Sequence, residues 1–174
     1  DAALIVSDIT APDSPALLDT KALSGGLEVD LGRHVSVLGG HAYIAAGKAG
    51  LHVIDTSNPA ALMPLSVFDD KGQAQGISLS DNDLAFVADG PGGFRVVDIS
   101  DTSAPIEIWR DGGGLPPTRG VEVAGDQVLV VTSETLSVRS ADEASGFALL
   151  AEASLTEGYA VDVRDDVARS LFFL

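Results

Sequence analysis

The sequence predicts an all-β protein of four-stranded antiparallel sheets repeated roughly every 40 residues, and three observations predict it. An aspartate closes an apolar run in "LIVSDIT", "LHVIDTS" and "FRVVDIS", at Asp8, Asp55 and Asp98, 47 and 43 residues apart. A second marker, Val35, Ile77, Val121 and Val161, recurs independently at spacings of 42, 44 and 40. No stretch of a dozen residues holds a 3.6-residue apolar rhythm, so helices are expected to be few and short. Two phases of one period define a repeated unit. Four short strands per unit, each sheet stacked on its neighbours around a ring, describe the blade of a β-propeller.

The units follow in order. Residues 1–24 read as half a blade, with a third strand at 4–6 and a fourth at 16–23. Residues 27–68, 75–110 and 119–154 each read as a whole blade. In the last of these "GVEV" is the first strand, "AGD" a turn, "QVLVVT" the second strand, "SET" a turn, "LSVRS" the third strand and "FALLAEAS" the fourth. Residues 128–131 are apolar at successive positions, which implies a strand covered on both faces. Here Arg139 is expected to stand in the aspartate's place, 41 residues after Asp98. Residues 159–174 read as the other half blade, a first strand at 160–163 and a second at 168–174. The sum is about four blade equivalents in one domain, with the N-terminal strands closing the last blade. Closure between two chains, or a place within a larger ring, fits the same pattern.

The recurring phrase has a mechanical reading. A carboxylate at the end of the third strand can accept backbone N–H groups as the chain turns away. Pro15 and Pro105, each seven residues after the aspartate, stand at the start of the outermost strand. A residue without an N–H is tolerated there and discourages pairing with another chain.

The phrases "LIVSDITAPDSP", "LHVIDTSNP" and "FRVVDISDTSAP" resemble the LVIVD repeat, a propeller-forming repeat of bacterial and archaeal proteins. The resemblance extends over nearly the whole chain, with "LSVRSADEASG" a degenerate copy. It implies a binding scaffold, often exported or at the cell surface, with no shared catalytic residues. The only tryptophan, Trp109, is not followed by aspartate, so the Trp–Asp propeller repeat fits poorly.

Net charge is −16, from 26 acidic and 10 basic residues. Such a surface repels phosphate backbones and anionic lipid, so neither nucleic acid nor a membrane surface is an expected partner. No apolar run is long enough for a membrane helix, and no basic segment followed by an apolar one marks a signal peptide. With no cysteine there is neither a disulfide framework nor thiolate chemistry.

By analogy of fold, propeller ligands meet the face made by the loops between blades and the loops joining second to third strands. The inter-blade loops end at Arg33 and His34, Gln75, Arg119 and Tyr159, positions that coincide in the repeat. They are expected to form a polar, partly cationic collar for an anionic or carbohydrate-like small molecule, or for a protein. Lys48 in "GKAG" lacks the downstream Ser or Thr and the helix of a phosphate loop. His34, His41 and His52 fall at a rim, a hairpin turn and a third strand, and are not expected to share a metal. Asp81, Asn82 and Asp83 lack the glycine and glutamate of an EF-hand and read as a hairpin turn. No nucleophile elbow or metalloprotease helix is present. The expected function is therefore a non-enzymatic binding scaffold without cofactor or metal, part of an exported or cell-surface protein, monomeric or homodimeric. The alternative is a small propeller hydrolase or lyase acting at the channel mouth through Arg33, His34, Arg119 and Tyr159.

Overall fold

Glycine, aspartate and serine at short intervals cut the apolar sequence into strands of three to seven residues. The computed structural model of the chain describes residues 3–23, 33–69, 72–111, 116–156, 158, 162–164 and 167–169, the last two segments through their backbone. Strands β1 (Ala3–Asp8) and β2 (Ala16–Ala22) form a two-stranded sheet. Three complete four-stranded sheets follow. The first is β3 (His34–Leu38), β4 (His41–Ala45), β5 (Leu51–Asp55) and β6 (Met63–Phe68). The second is β7 (Gly76–Ser80), β8 (Leu84–Ala88), β9 (Phe94–Asp98) and β10 (Ile106–Arg110). The third is β11 (Thr118–Ala124), β12 (Gln127–Thr132), β13 (Thr135–Ser140) and β14 (Leu149–Ser154). A last pair, β15 (Asp162–Arg164) and β16 (Val167–Arg169), is again two-stranded. Among the described residues the only helical element is one 3-10 turn, Glu143–Ser145.

Every pairing within these sheets is antiparallel and joins strands consecutive in sequence. The first strands lie side by side in series, β3 against β7, β7 against β11 and β11 against β15. The middle strands β4, β8 and β12 are buried at nearly every position, because sheets stack on both of their faces. Alternate residues of one strand therefore serve two cores. Phe94 and Val96 face the third sheet with Phe86, Val128, Val130 and Phe147. Val97 and Ile99 face the first sheet with Tyr43, Leu51, Val53 and Ile77. The half blade stacks in the same way, Leu4, Val6 and Leu23 packing on Ile44, Ile54 and Leu62. Each pairing of a third with a fourth strand carries a bulge, which bends the outer strand.

The structure corrects the sequence frame in one place. Gln127 pairs with Ser140, as His41 pairs with Asp55 and Leu84 with Asp98. Ser140, not Arg139, thus occupies the aspartate's position. It also does the same work. Asp8, Asp55 and Asp98 accept the N–H of Thr10, Ser57 and Ser100, each at 2.8 Å, and the Ser140 hydroxyl accepts that of Asp142 at 3.1 Å. A motif search for aspartate misses a hydroxyl that closes the same turn. The expected pairing of residues 4–6 with 171–174 lies outside the described residues.

Candidate functional site

In each sheet the loop joining second to third strands lies at one end, and the aspartate turns lie at the other. At the loop end, Gly47 N–H donates to Ala74 O at 2.8 Å and Ala74 N–H to Gly47 O at 3.0 Å. Gly90 and Thr118 exchange the equivalent pair at 3.0 and 2.9 Å. Each loop is thereby stitched to the segment that opens the next blade, so the face is held by backbone bonds across the blade boundary.

Between the first two complete blades this face opens into a cavity of about 560 Å3, lined by Lys48, Asp69, Gly72, Gln73, Pro91, Gly92 and Arg95. Arg95 stands on β9 at a buried position that looks back toward the first blade. Its Nε donates to Asp89 Oδ2 at 2.7 Å and its Nη1 donates to Glu107 Oε2. Glu107 Oε1 lies 3.6 Å from Arg110 Nε. Asp89 is 1% exposed, and a carboxylate left there without its cation costs about 3–5 kcal/mol. The Asp89 carboxyl rests directly on the backbone of the loops. A Cβ at Gly72 would lie 1.7 Å from Asp89 Oδ2, and one at Gly92 1.9 Å from it, so only glycine fits at either position. The ion cluster is the cavity's floor, and its charges are internally matched.

Four of the expected collar residues, Arg33, His34, Gln75 and Arg119, lie among the described residues. Arg33 and Gln75 are equivalent, their N–H groups donating to Ala45 O at 2.8 Å and Ala88 O at 2.7 Å. Arg33 and His34 line a separate groove of about 360 Å3 between β1 and β3. His34 Nδ1 accepts the N–H of Ile77 at 3.1 Å, linking the first two inner strands. Ser78 Oγ accepts the N–H of Val123 at 3.0 Å and links the next two. Arg119 lies on β11, and Tyr159 lies outside the described residues. Gln75 Nε2 lies against Gly90, where an added Cβ would stand 2.8 Å from it.

The aspartate turns hold their carboxylates low. Asp8 is held below the usual carboxylate range by the N–H of Thr10, and Asp55 and Asp98 by the hydroxyls and then the N–H groups of Ser57 and Ser100. His52 is pushed down by burial on β5, partly offset by its bond to Ala49. Among the described residues no three His, Asp or Glu side chains are placed to hold a metal ion, and no helix is long and apolar enough to cross a membrane.

The sequence carries a signal for Arg95. In the three complete blades the residue three before the turn-closing Asp55, Asp98 or Ser140 looks back at the previous blade, and it is His52, Arg95 and Ser137 in turn. A polar residue inside an otherwise buried strand marks the place where blades differ.

Residues 32–69 and 71–110 match the sequence model of the LVIVD repeat. No curated protein sequence matches the chain. Among solved structures, the chain resembles the computationally designed Ika4 protein, with a TM-score of 0.62 at 14% identity over 84% of this chain and 88% of that one. BamB from Moraxella catarrhalis gives 0.63 at 15% identity, over 89% of this chain and 45% of that one. The WD40 repeats of RRP9 give 0.60 at 10% identity, over 79% and 43%. These likenesses show the β-propeller fold, and the chain spans less than half of the latter two structures.

Proposed function

With residues 32–69 and 71–110 identified as LVIVD repeats, we propose that this propeller is a non-enzymatic binding scaffold of an exported or cell-surface protein, and that its loop face takes up an acidic saccharide. The cavity between the first two complete blades carries the reading. Its volume of about 560 Å3 suits a small ligand, since such sites run to about 300–1,000 Å3. Its walls offer both signs of charge, the Gln73 amide and glycine backbone, the donors and acceptors with which hydroxyls and a carboxylate pair. Lys48 and Asp69 both stand on the wall, so a carboxylate and a hydroxyl of one ligand each meet a group of suitable charge. The Arg95 cluster is consumed in holding the floor, as expected of a platform and not of an acid–base pair. Placement outside the cytoplasm rests on the resemblance to the LVIVD repeat.

A glycan array probed with the intact chain tests this. Acidic saccharides should be retained, retention should fall at least tenfold in Lys48→Glu with an unchanged melting temperature, and the saccharide should be recovered uncleaved. No retention, or retention indifferent to Lys48→Glu, contradicts the binding reading; cleavage of the saccharide supports the hydrolase alternative.

A further inference from the structure

Among the described residues three buried side-chain atoms have no hydrogen-bond partner: His52 Nε2, Asp111 Oδ1 and Thr118 Oγ1. The last two belong to one boundary, that between the second and third complete blades. The boundary before it shows what the repeat ordinarily places there. In the first complete blade the loop after β4 closes with Gly50 N–H donating to Gly47 O at 3.1 Å, and in the second Gly93 N–H donates to Gly90 O at the same distance. Gly47 bridges to Ala74 as Gly90 does to Thr118, so Thr118 takes the place of Ala74. Leu51 pairs with Phe68 as Phe94 O accepts the N–H of Asp111, so Asp111 takes the place of Phe68. Phe68 and Ala74 both pack in the core between the first two complete blades. At the next boundary the same two places hold a carboxylate and a hydroxyl.

Oxygen in place of hydrocarbon is costly at such depth unless it is bonded. Asp111 is 8% exposed and Thr118 0%. One half of the carboxylate is used, since Asp111 Oδ2 accepts the N–H of Phe94 at 3.1 Å. Oδ1 rests against Gly93, where there is no room for a Cβ. The turn from Gly90 to Gly93 thus touches Thr118 with one end and Asp111 with the other. It brings no side-chain cation, because Pro91 stands where the first loop has Lys48. The geometry points to a bound metal cation as the partner of Asp111 Oδ1 and Thr118 Oγ1, and to calcium as its class. A cation offsets the buried negative charge and engages lone pairs of both groups, which a neutral donor does for the hydrogen bond alone. Both donors are oxygen, which suits a hard cation and not zinc. Calcium tolerates irregular shells and fills about six to eight places with carbonyls and water, whereas magnesium demands a near-ideal octahedron. A single carboxylate puts the affinity in the weak class, with a Kd on the order of 0.1–1 mM. The site lies one boundary away from the saccharide cavity and stands independently of that reading.

The test uses the intact chain, stripped of metal with a chelator and dialysed free of it. Calcium chloride at about 10 mM should raise the melting temperature by about 3 °C or more over potassium chloride of equal ionic strength. Terbium gives a local readout through the only tryptophan, Trp109, two residues from Asp111. Excitation of the indole should produce terbium emission that millimolar calcium displaces. Asp111→Asn and, separately, Thr118→Val preserve side-chain shape and should each raise the calcium concentration needed for either effect by about tenfold or more. Asp81→Asn, on the surface, should leave both effects unchanged. Potassium or magnesium matching calcium, or calcium acting equally on Asp111→Asn, marks screening of the acidic surface and overturns the proposal. The unsubstituted chain decides the terbium arm alone: no indole-sensitised emission overturns the proposal, whatever the variants do.

Discussion

At the residue scale the repeated aspartate is the clearest case of local chemistry written in sequence. Asp55 and Asp98 each accept an N–H two residues on, and that bond favours the charged carboxylate. A carboxyl whose folded pKa is depressed stabilises the fold above its unfolded pKa, near 3.9, and that stability is lost as pH falls through the folded value. Asp55→Asn with Asp98→Asn should therefore lower Tm at pH 7 by about 2 °C. The gap should close progressively below about pH 4. Thermal melts from pH 7 to pH 2 read it; a gap independent of pH would show that charge has no part in the turn. Leu62 teaches the opposite lesson. It stands seven residues after Asp55, where the other phrases have proline, and its N–H donates to Asp19 Oδ2 at 2.7 Å. Proline would remove the bond that ties the half blade to the first whole blade. No rule of local sequence announces that, because the partner is 43 residues away.

At the scale of elements, the strands were legible and the faces they present were only half so. Unbroken apolar runs such as 128–131 signalled burial on both sides, as found in β12. Which neighbour each residue meets depends on blade order, which composition does not encode. The boundary between the second and third blades shows what that order builds. Phe86 stacks with Phe94 at 6.1 Å, Phe147 meets Phe86 edge-on at 6.1 Å, and Trp109 lies 5.7 Å from Phe94 and 5.6 Å from Phe147. Phe147 comes from the connection between β13 and β14 and is 1% exposed. Its φ of +54° is as unfavourable for alanine as for phenylalanine, so truncation isolates the ring. Phe147→Ala should cost about 3–5 kcal/mol in a denaturant titration. A loss under about 1 kcal/mol would mean that the two blades do not depend on this cluster. The cavity floor belongs to the same scale. Arg95, Asp89 and Glu107 sit on three successive parts of one blade, and nothing in their spacing predicts that they meet.

At the scale of the whole molecule, the repeat carries the architecture, and the proposed site lies where the blades depart from the repeat. The collar expected from coincident positions at Arg33, His34, Gln75, Arg119 and Tyr159 is a proposal from symmetry, and within it His34 Nδ1 accepts the N–H of Ile77 on the next inner strand. A cavity forms between the first two complete blades, where Lys48, Gln73 and Arg95 stand. Backbone bonds fix each blade boundary locally, and all the boundaries are fixed together only when the blades encircle one axis. That one chain completes one ring is thus the claim on which the rest depends. Light scattering across a hundredfold range of concentration tests it most directly. The account predicts a single monodisperse species of 17.8 kDa at every concentration; a stable species of twice that mass would contradict it.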